Sequence, residues 1–223
     1  MSERALGPGA RTRVRRVAKK SRYDEAVIYE ILDQARLCHV AALVKGAPVA
    51  LPTLHAREGR TVFLHGSPSS EVMNAVVREG EAFVTATLFE GLRLARSGFH
   101  SSIAFRSVVV VGAAREVVDE NEKLRVLNLF VDRVLPGRAR EVRPMSPSEL
   151  RLTMVVAVAI DEASAKVSSG PTDDDAADIS LPIWSGTVPA RLVFDSPRPD
   201  ANGAMSSGYV EIPPSVRRLL GEQ

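Results

Sequence analysis

Ile103-Ala104-Phe105-Arg106-Ser107-Val108-Val109-Val110-Val111-Gly112 is the stretch on which the fold turns. Four consecutive valines favour a strand, because two heavy atoms on Cβ fit a pleated sheet better than a helix. Apolar residues on successive positions imply burial on both faces, as in a barrel wall that also packs against a partner outside it. A strand is expected over 103–118, with Gly112 marking a bulge. Working outward, further strands are expected at Cys38 to Val44, Ala47 to His55, Thr61 to His65, Ala82 to Leu88, Thr153 to Asp161 and Val188 to Phe194. Helical spacing places Val27, Ile28, Ile31, Leu32 and Ala35 on one stripe of a helix over Asp24 to Arg36. Ser67-Pro68 reads as the cap and first residue of a helix ending at Arg78. Asp119 with Glu122, and Ser146 with Glu149, read as capping boxes of two more helices. Residues 91–102 and 168–180 read as polar connections. Strands and helices do not alternate strictly, which argues for a mostly antiparallel α+β or barrel fold and against a doubly wound sheet.

The chain has 223 residues, of which 45% are hydrophobic and 25% charged, enough for one core with appendages. Its net charge of +2 conceals an asymmetry: residues 1–22 hold eight Lys/Arg and one acid, +7, leaving −5 on the remainder. Three regions are expected: a basic arm over 1–22, a domain over 23–195, and a loose tail over 196–223 with a short helix near Ser215 to Leu220. The arm lacks aromatic residues for stacking on bases, so it is read as lying on an acidic body, that of this chain or of a partner, and nucleic-acid binding is not expected. No apolar run approaches the roughly 18 residues of a membrane span, and none follows the N-terminal charges as in a secretory signal. One cysteine, Cys38, leaves no internal disulfide and suits a reducing, cytoplasmic setting.

His39, His55, His65 and His100 stand in no metal-ligand spacing, and Cys38 and His39 point to opposite faces of a strand, so no metal site is expected. The chain has no G-x-S-x-G elbow, no P-loop and no G-x-G-x-x-G. What remains is Thr61-Val62-Phe63-Leu64-His65 running into Gly66-Ser67-Pro68-Ser69-Ser70 and then a helix. A helix start offers free N–H groups and a positive dipole end, Gly66 permits close approach, and Ser67, Ser69 and Ser70 add hydroxyls, a combination suited to phosphate.

Six stretches together resemble one family: Cys38-His39-Val40, Pro52-Thr53-Leu54, Leu64-His65-Gly66-Ser67, Leu94-Ala95-Arg96-Ser97, Phe105-Arg106-Ser107-Val108 with Gly112, and Leu181-Pro182-Ile183-Trp184-Ser185-Gly186. The family is the pyridoxamine 5'-phosphate oxidase-like proteins, in particular their nitroimidazole-reductase-like branch, and the resemblance covers roughly residues 13–192. It implies a six-stranded antiparallel split β-barrel, a homodimer, and flavin mononucleotide (FMN) in two clefts between subunits. It further implies that Pro52, Thr53 and Leu54 line the flavin ring, that Leu64, His65, Gly66, Ser67, Ser69 and Ser70 hold ring edge, ribityl and phosphate, and that Ser107, Arg96 and Trp184 reach the cofactor. His65 and Arg106 are the implied catalytic residues, the first as proton or hydrogen-bond donor, the second as a stabiliser of charge on reduced flavin. One departure stands out: relatives carry Arg-Lys at the helix start where this chain has Ser70 and Glu71.

The implied function is an FMN-dependent oxidoreductase acting on a small redox substrate such as a nitro or other electron-poor compound. The alternative is a non-catalytic protein binding a flavin, the deazaflavin coenzyme or a tetrapyrrole.

Overall fold

The computed structural model describes residues 9–16, 18–199 and 211–221. In chain order these form β1 (Ser21–Arg22), α1 (Glu25–Gln34), β2 (Cys38–Val44), β3 (Ala47–Thr53), β4 (His55–Glu58), β5 (Thr61–Gly66), α2 (Glu71–Glu79), β6 (Glu81–Leu94), β7 (Ser102–Glu116), α3 (Glu120–Val134), α4 (Pro147–Arg151), β8 (Met154–Ala159), β9 (Glu162–Ser168), β10 (Gly186–Pro189) and α5 (Pro214–Leu219). The architecture is a mostly antiparallel sheet closed as a split barrel, with a few helices. From one edge the order is β3-β2-β6-β7-β8-β5-β4. β7 is the strand shared by both halves. Its Phe105–Val111 segment pairs with β9, whereas Ala114–Glu116 pair with β8.

Gly112 sits where β7 changes partner. A Cβ built there would lie 1.8 Å from the carbonyl oxygen of Ala159. The next residue is held by the same corner, since Ala113 N donates to Asp161 Oδ2 at 2.8 Å. The expected bulge at Gly112 is therefore absent from the β6–β7 pairing, whose register shifts between Phe89 and Gly91 instead. The glycine is needed for close backbone approach.

Two apolar clusters fill the molecule. Val40, Val62, Leu64, Val84, Val108, Val110, Val156 and Val158 line the barrel interior, and Ile28, Ile31 and Leu32 of α1 pack into it. Outside the barrel, Phe63, Val155 and Ala157 are covered by Val126, Leu127 and Phe130 of α3. Burial on both faces of β5 and β8 thus comes from a helix of the same chain.

Several expectations change. The helix after β5 starts at Glu71 and is capped by Ser70, whose side chain accepts from Met73 N. Pro68 and Ser69 lie in a turn closed by Ser70 N donating to Ser67 O at 2.9 Å, so Ser67 is not the cap. The strand expected over 47–55 breaks at Leu54 into β3 and β4, and β6 extends to Leu94 into the expected connection. β1 and β9 were not anticipated. Alternating Ala163, Ala165 and Val167 is a weak apolar signal, and a two-residue strand carries almost none. The last strand ends at Pro189, and nothing from Ala190 to Pro199 has regular structure. Asp119 caps α3, accepting from Glu122 N at 2.8 Å, but the Glu122 carboxylate pairs with Arg115. Ser146 and Glu149 do form the reciprocal box.

The arm lies on its own chain. Arg11 bridges Glu81 and Glu162, and Ser21 and Arg22 pair with Lys166 and Ala165. Residues 1–8 of the arm, and 200–210 of the tail, fall outside the described residues. The far end of the tail is docked: Ser215 is 1% exposed and both its N–H and hydroxyl donate to Glu141.

Gly112→Ala is expected to lower unfolding free energy by about 3 kcal/mol, the upper range of overpacking costs, because backbone and not a pliant side chain blocks the new methyl. Urea denaturation measures it. Gly59→Ala, with open space around its Cβ position, is the comparison for a turn glycine and should cost less.

Candidate functional site

The register of β4 and β5 pairs His55 with Leu64. Leu54, just before β4, packs against the Phe63 and Phe130 cluster that the His65 ring also touches, whereas Pro52 and Thr53 pair with His39 and Cys38 of β2. Alternation along β5 sends Leu64 into the barrel interior, where it is fully buried, and His65 to the α3 side. The Leu64 side chain is consequently inaccessible to a ligand, and only its backbone faces the junction. The His65 ring lies 4.4 Å from that of Phe130, tilted by 54°. Its Nδ1 is buried with no hydrogen-bond partner among the described residues. Burial pushes the His65 pKa below its ordinary value, so at neutral pH the ring is uncharged. It can offer one N–H or one lone pair, and a cationic proton donor is disfavoured.

Beyond Gly66, the turn is a hydroxyl-rich cradle. Ser67 Oγ and Ser69 Oγ are 2.8 Å apart, and Ser69 N donates to Ser67 Oγ. A Cβ at Gly66 would meet only ordinary contacts, the nearest at 3.5 Å, so nothing in the fold itself requires glycine there. Glu71, which stands where a cation was expected, is paired with Lys45 at 2.5 Å.

Arg106 and Ser107 are adjacent on β7 and point to opposite faces. Ser107 shares the outer face with Thr87 and Lys166, its cross-strand neighbours. Arg106 is bound by Glu90 at 2.6 Å, Glu30 at 2.9 Å and Gln34 at 2.7 Å. It fastens α1 to β6 and β7, and its charge is met by two carboxylates. The structure therefore does not bring Arg106 together with His65. Nothing in the sequence announces these partners, because two of the three lie more than 70 positions away.

Arg96 and Trp184 form a third group. Arg96 donates to Asp174 at 2.8 Å and to Ser185 Oγ at 2.7 Å, tying the 171–186 segment to the end of β6. Trp184 is 65% exposed. β10 crosses Gly91, where a Cβ would come within 2.3 Å of Val188 O.

Thr53, Cys38, Ala86 and Val108 form one cross-strand row. Three strand spacings separate Thr53 from the neighbourhood of Ser107, about 14 Å along the sheet. One chain therefore leaves the expected residues in separate groups: Leu54 with His65 and the Gly66–Ser70 turn, Thr53 across from Cys38, Ser107 on the outer face of β7, and Arg96 with Trp184 beyond the end of β6. Among the described residues no group of His, Cys, Asp and Glu could hold a metal. Burial pushes the Cys38 thiol up to about 12, which removes it as a nucleophile. Among the described residues no helix is long and apolar enough to cross a membrane.

Comparisons with known proteins bear on this arrangement. A family model described as pyridoxamine 5'-phosphate oxidase matches residues 24–167. The flavocytochrome Anf3 from Azotobacter vinelandii is 35% identical, with a TM-score of 0.88, over 95% of this chain and 97% of that one. An FAD and haem binding protein from Mycobacterium smegmatis is 33% identical, with a TM-score of 0.83, over 90% and 97%. A candidate 5-nitroimidazole antibiotic resistance protein from Bacteroides thetaiotaomicron shares the fold at 22% identity and a TM-score of 0.57, over 66% and 86%. Among curated proteins none matches.

His55 and His65 give the fold an acid limit. Burial lowers both pKa values, and His55 Nε2 already engages Leu32 O at 2.8 Å. A depressed histidine leaves stability whole above its unfolded pKa, about 6.5, and withdraws it as pH falls through the folded value. The urea midpoint should therefore drop between pH 7.5 and pH 5, and His65→Phe should drop less over the same interval.

Proposed function

The chain belongs to the pyridoxamine 5'-phosphate oxidase family, and on that premise we propose that it is a flavin-binding redox protein, acting as a homodimer, with FAD as the flavin. The observation that carries this reading is the hydroxyl-rich Gly66–Ser70 cradle at the start of α2, directly following His65, whose buried Nδ1 has no partner among the described residues. Hydroxyls and helix-start N–H groups accept a phosphate without a cation.

The same cradle argues for FAD over FMN. A terminal phosphate monoester carries close to two charges, and positions 66–71 offer it no Lys or Arg and one carboxylate. A diphosphate bridge spreads one charge over each phosphorus and needs less compensation. The names of the two relatives above 30% identity, a flavocytochrome and an FAD and haem binding protein, support this choice. Lys45 offsets Glu71, which keeps FMN as the competitor to be tested.

Dimerisation supplies the second half of each site. Because Val84, Ala86 and Val40 face the core, Leu43, Phe83 and Phe89 face outward, 58%, 40% and 54% exposed. An apolar outer face of this kind suits a second copy. In this reading the partner copy lends outer-face residues, Ser107 among them, to the His65 site of the other chain.

A bound flavin supplies one- and two-electron transfer. This chain's residues do the rest. Thr53, Ser67 and Ser69 present hydroxyls, Leu54 and Phe130 exclude water, and His65 holds a neutral ring at the flavin edge. Arg106 keeps the barrel mouth rigid. A second, tetrapyrrole cofactor is favoured by the same two names. The described imidazoles reachable by it are His39, exposed on β2, and His100, whose Nε2 pairs with Asp175 at 3.2 Å.

Absorbance of the purified protein tests the reading, with the released flavin identified by chromatography. One flavin per chain, identified as FAD and bleached by reductant, is expected. A colourless protein whose spectrum ignores added FAD and FMN would sink it. A Soret band lost in His39→Ala or His100→Ala would establish the second cofactor. Phe83→Glu should give a monomer in sedimentation that has also lost its flavin. Glu71→Lys should tighten FMN by about tenfold, the effect of one added charge-assisted hydrogen bond, with a smaller gain for FAD.

A further inference from the structure

Two cations reach one buried hydroxyl at the outer end of β9, and a third stands beside them. Ser168 is 1% exposed. Its Oγ accepts from Lys20 Nζ at 3.0 Å and from Arg93 Nη1 at 3.4 Å, and donates to Ile103 O at 3.4 Å. Lys166 lies two positions back on the same face of the strand, pairs with Ser21 beside Lys20, and places its Nζ 6.0 Å from the Phe105 ring. Arg93 is only 7% exposed, and its Nε is buried with no partner among the described residues.

Among the described residues no carboxylate pairs directly with this group, and only Asp173 acts on Lys20 from a distance. None of Lys20, Arg93 and Lys166 takes part in an ion pair among the described residues, and the second arm of Arg93 donates to the Pro171 carbonyl. The nearby acids are engaged elsewhere: Asp173 with Lys19 at 3.7 Å, Asp174 with Arg96 at 2.8 Å, and Asp175 with His100 at 3.2 Å. Desolvation, then the charges of Arg93 and Lys166, lower the Lys20 pKa. A fold gains nothing from three like charges around a neutral hydroxyl. Such an arrangement is stable when an anion completes it.

We propose that Lys20, Arg93, Lys166 and Ser168 form a binding site for a phosphate group, separate from the His65 cradle. The planar guanidinium with a free Nε offers a paired-donor edge to an oxyanion, the two ammonium groups supply point charge, and the Ser168 hydroxyl can turn from Ile103 O to the incoming oxygen. Three cations match a phosphate dianion better than a single carboxylate, which would leave two charges unmet. The site shares no residue with the flavin reading, but Lys166 is the cross-strand neighbour of Ser107, so the lysine variants decide which site a probe occupies. The phosphate is either free or carried by an organic ligand.

Thermal unfolding of the full chain, at fixed ionic strength in chloride, tests the proposal with inorganic phosphate and, separately, ADP as probes. A saturable rise in Tm with inorganic phosphate is expected if the free ion is the ligand, and a rise with ADP alone if the phosphate arrives on a nucleotide. In Lys166→Gln and Lys20→Gln that rise should disappear, with apparent Kd at least about tenfold weaker. Without phosphate, both variants should match or exceed the wild-type Tm, because like-charge repulsion is relieved. Arg125→Gln, which breaks an exposed pair with Glu58, should keep the full response. No shift with either probe, or a shift unchanged in both lysine variants, overturns the proposal. Variants less stable than wild type in chloride would also overturn it, since the lysines would then be structural braces.

Discussion

The contact between Gly112 and the carbonyl of Ala159 holds the two halves of this barrel together. β7 has to serve β9 along most of its length and β8 at its end. A strand can leave one neighbour for another only where two backbones nearly touch, and a side chain at that point would drive them apart. Asp161 completes the corner by taking the free N–H of Ala113. From this corner β8 leads to β5, and β5 carries His65 and Gly66 to the barrel end. A corner displaced by a methyl group would move the cradle with it.

Charges on this protein divide into those that brace and those that are left over. Arg106 joins Glu30, Glu90 and Gln34, Arg57 joins Asp33, and Arg96 joins Asp174. Each ties a helix or loop to the sheet, and each is spent there. Against that background a neutral, partnerless His65 and an unbalanced Lys20, Arg93 and Lys166 group are exceptions. Buried polar atoms without partners raise the free energy of a fold. Several such atoms occur among the described residues, those of Tyr29, His55 and Arg96 included; those of His65 and Arg93 differ in standing next to serine hydroxyls.

The fold was largely legible in the sequence because its strongest signals are local. Valine-rich runs, the stripe of α1, and the Asp119 and Ser146 caps depend on neighbours within one turn or one pleat, and each recurs in the structure. The cradle was legible by location, since Gly66 to Ser70 had to join a strand to a helix. Its cap was misplaced by three residues: Ser67, Ser69 and Ser70 are chemically alike, and only the turn closed on Ser67 O decides that Ser70 caps. β9 escaped because small residues alternate with polar ones, and its burial comes from α1, β1 and β7 packed around it.

By itself, then, the sequence determined most of the segments that become strands, that they pair mostly antiparallel in an α+β or barrel fold, and where a phosphate-like group could meet a helix start, because periodicity and capping are written within a few residues. Only the tertiary structure decided that Arg106 and Ser107 face opposite ways with Arg106 consumed in ion pairs, that Leu64 is sealed inside, and that β5 and β8 are covered by α3 of the same chain. It alone also brought Lys20, Arg93 and the β9 pair Lys166 and Ser168 together from three separate places. Such outcomes depend on which distant side chains a closed sheet sets face to face, and no local spacing encodes that.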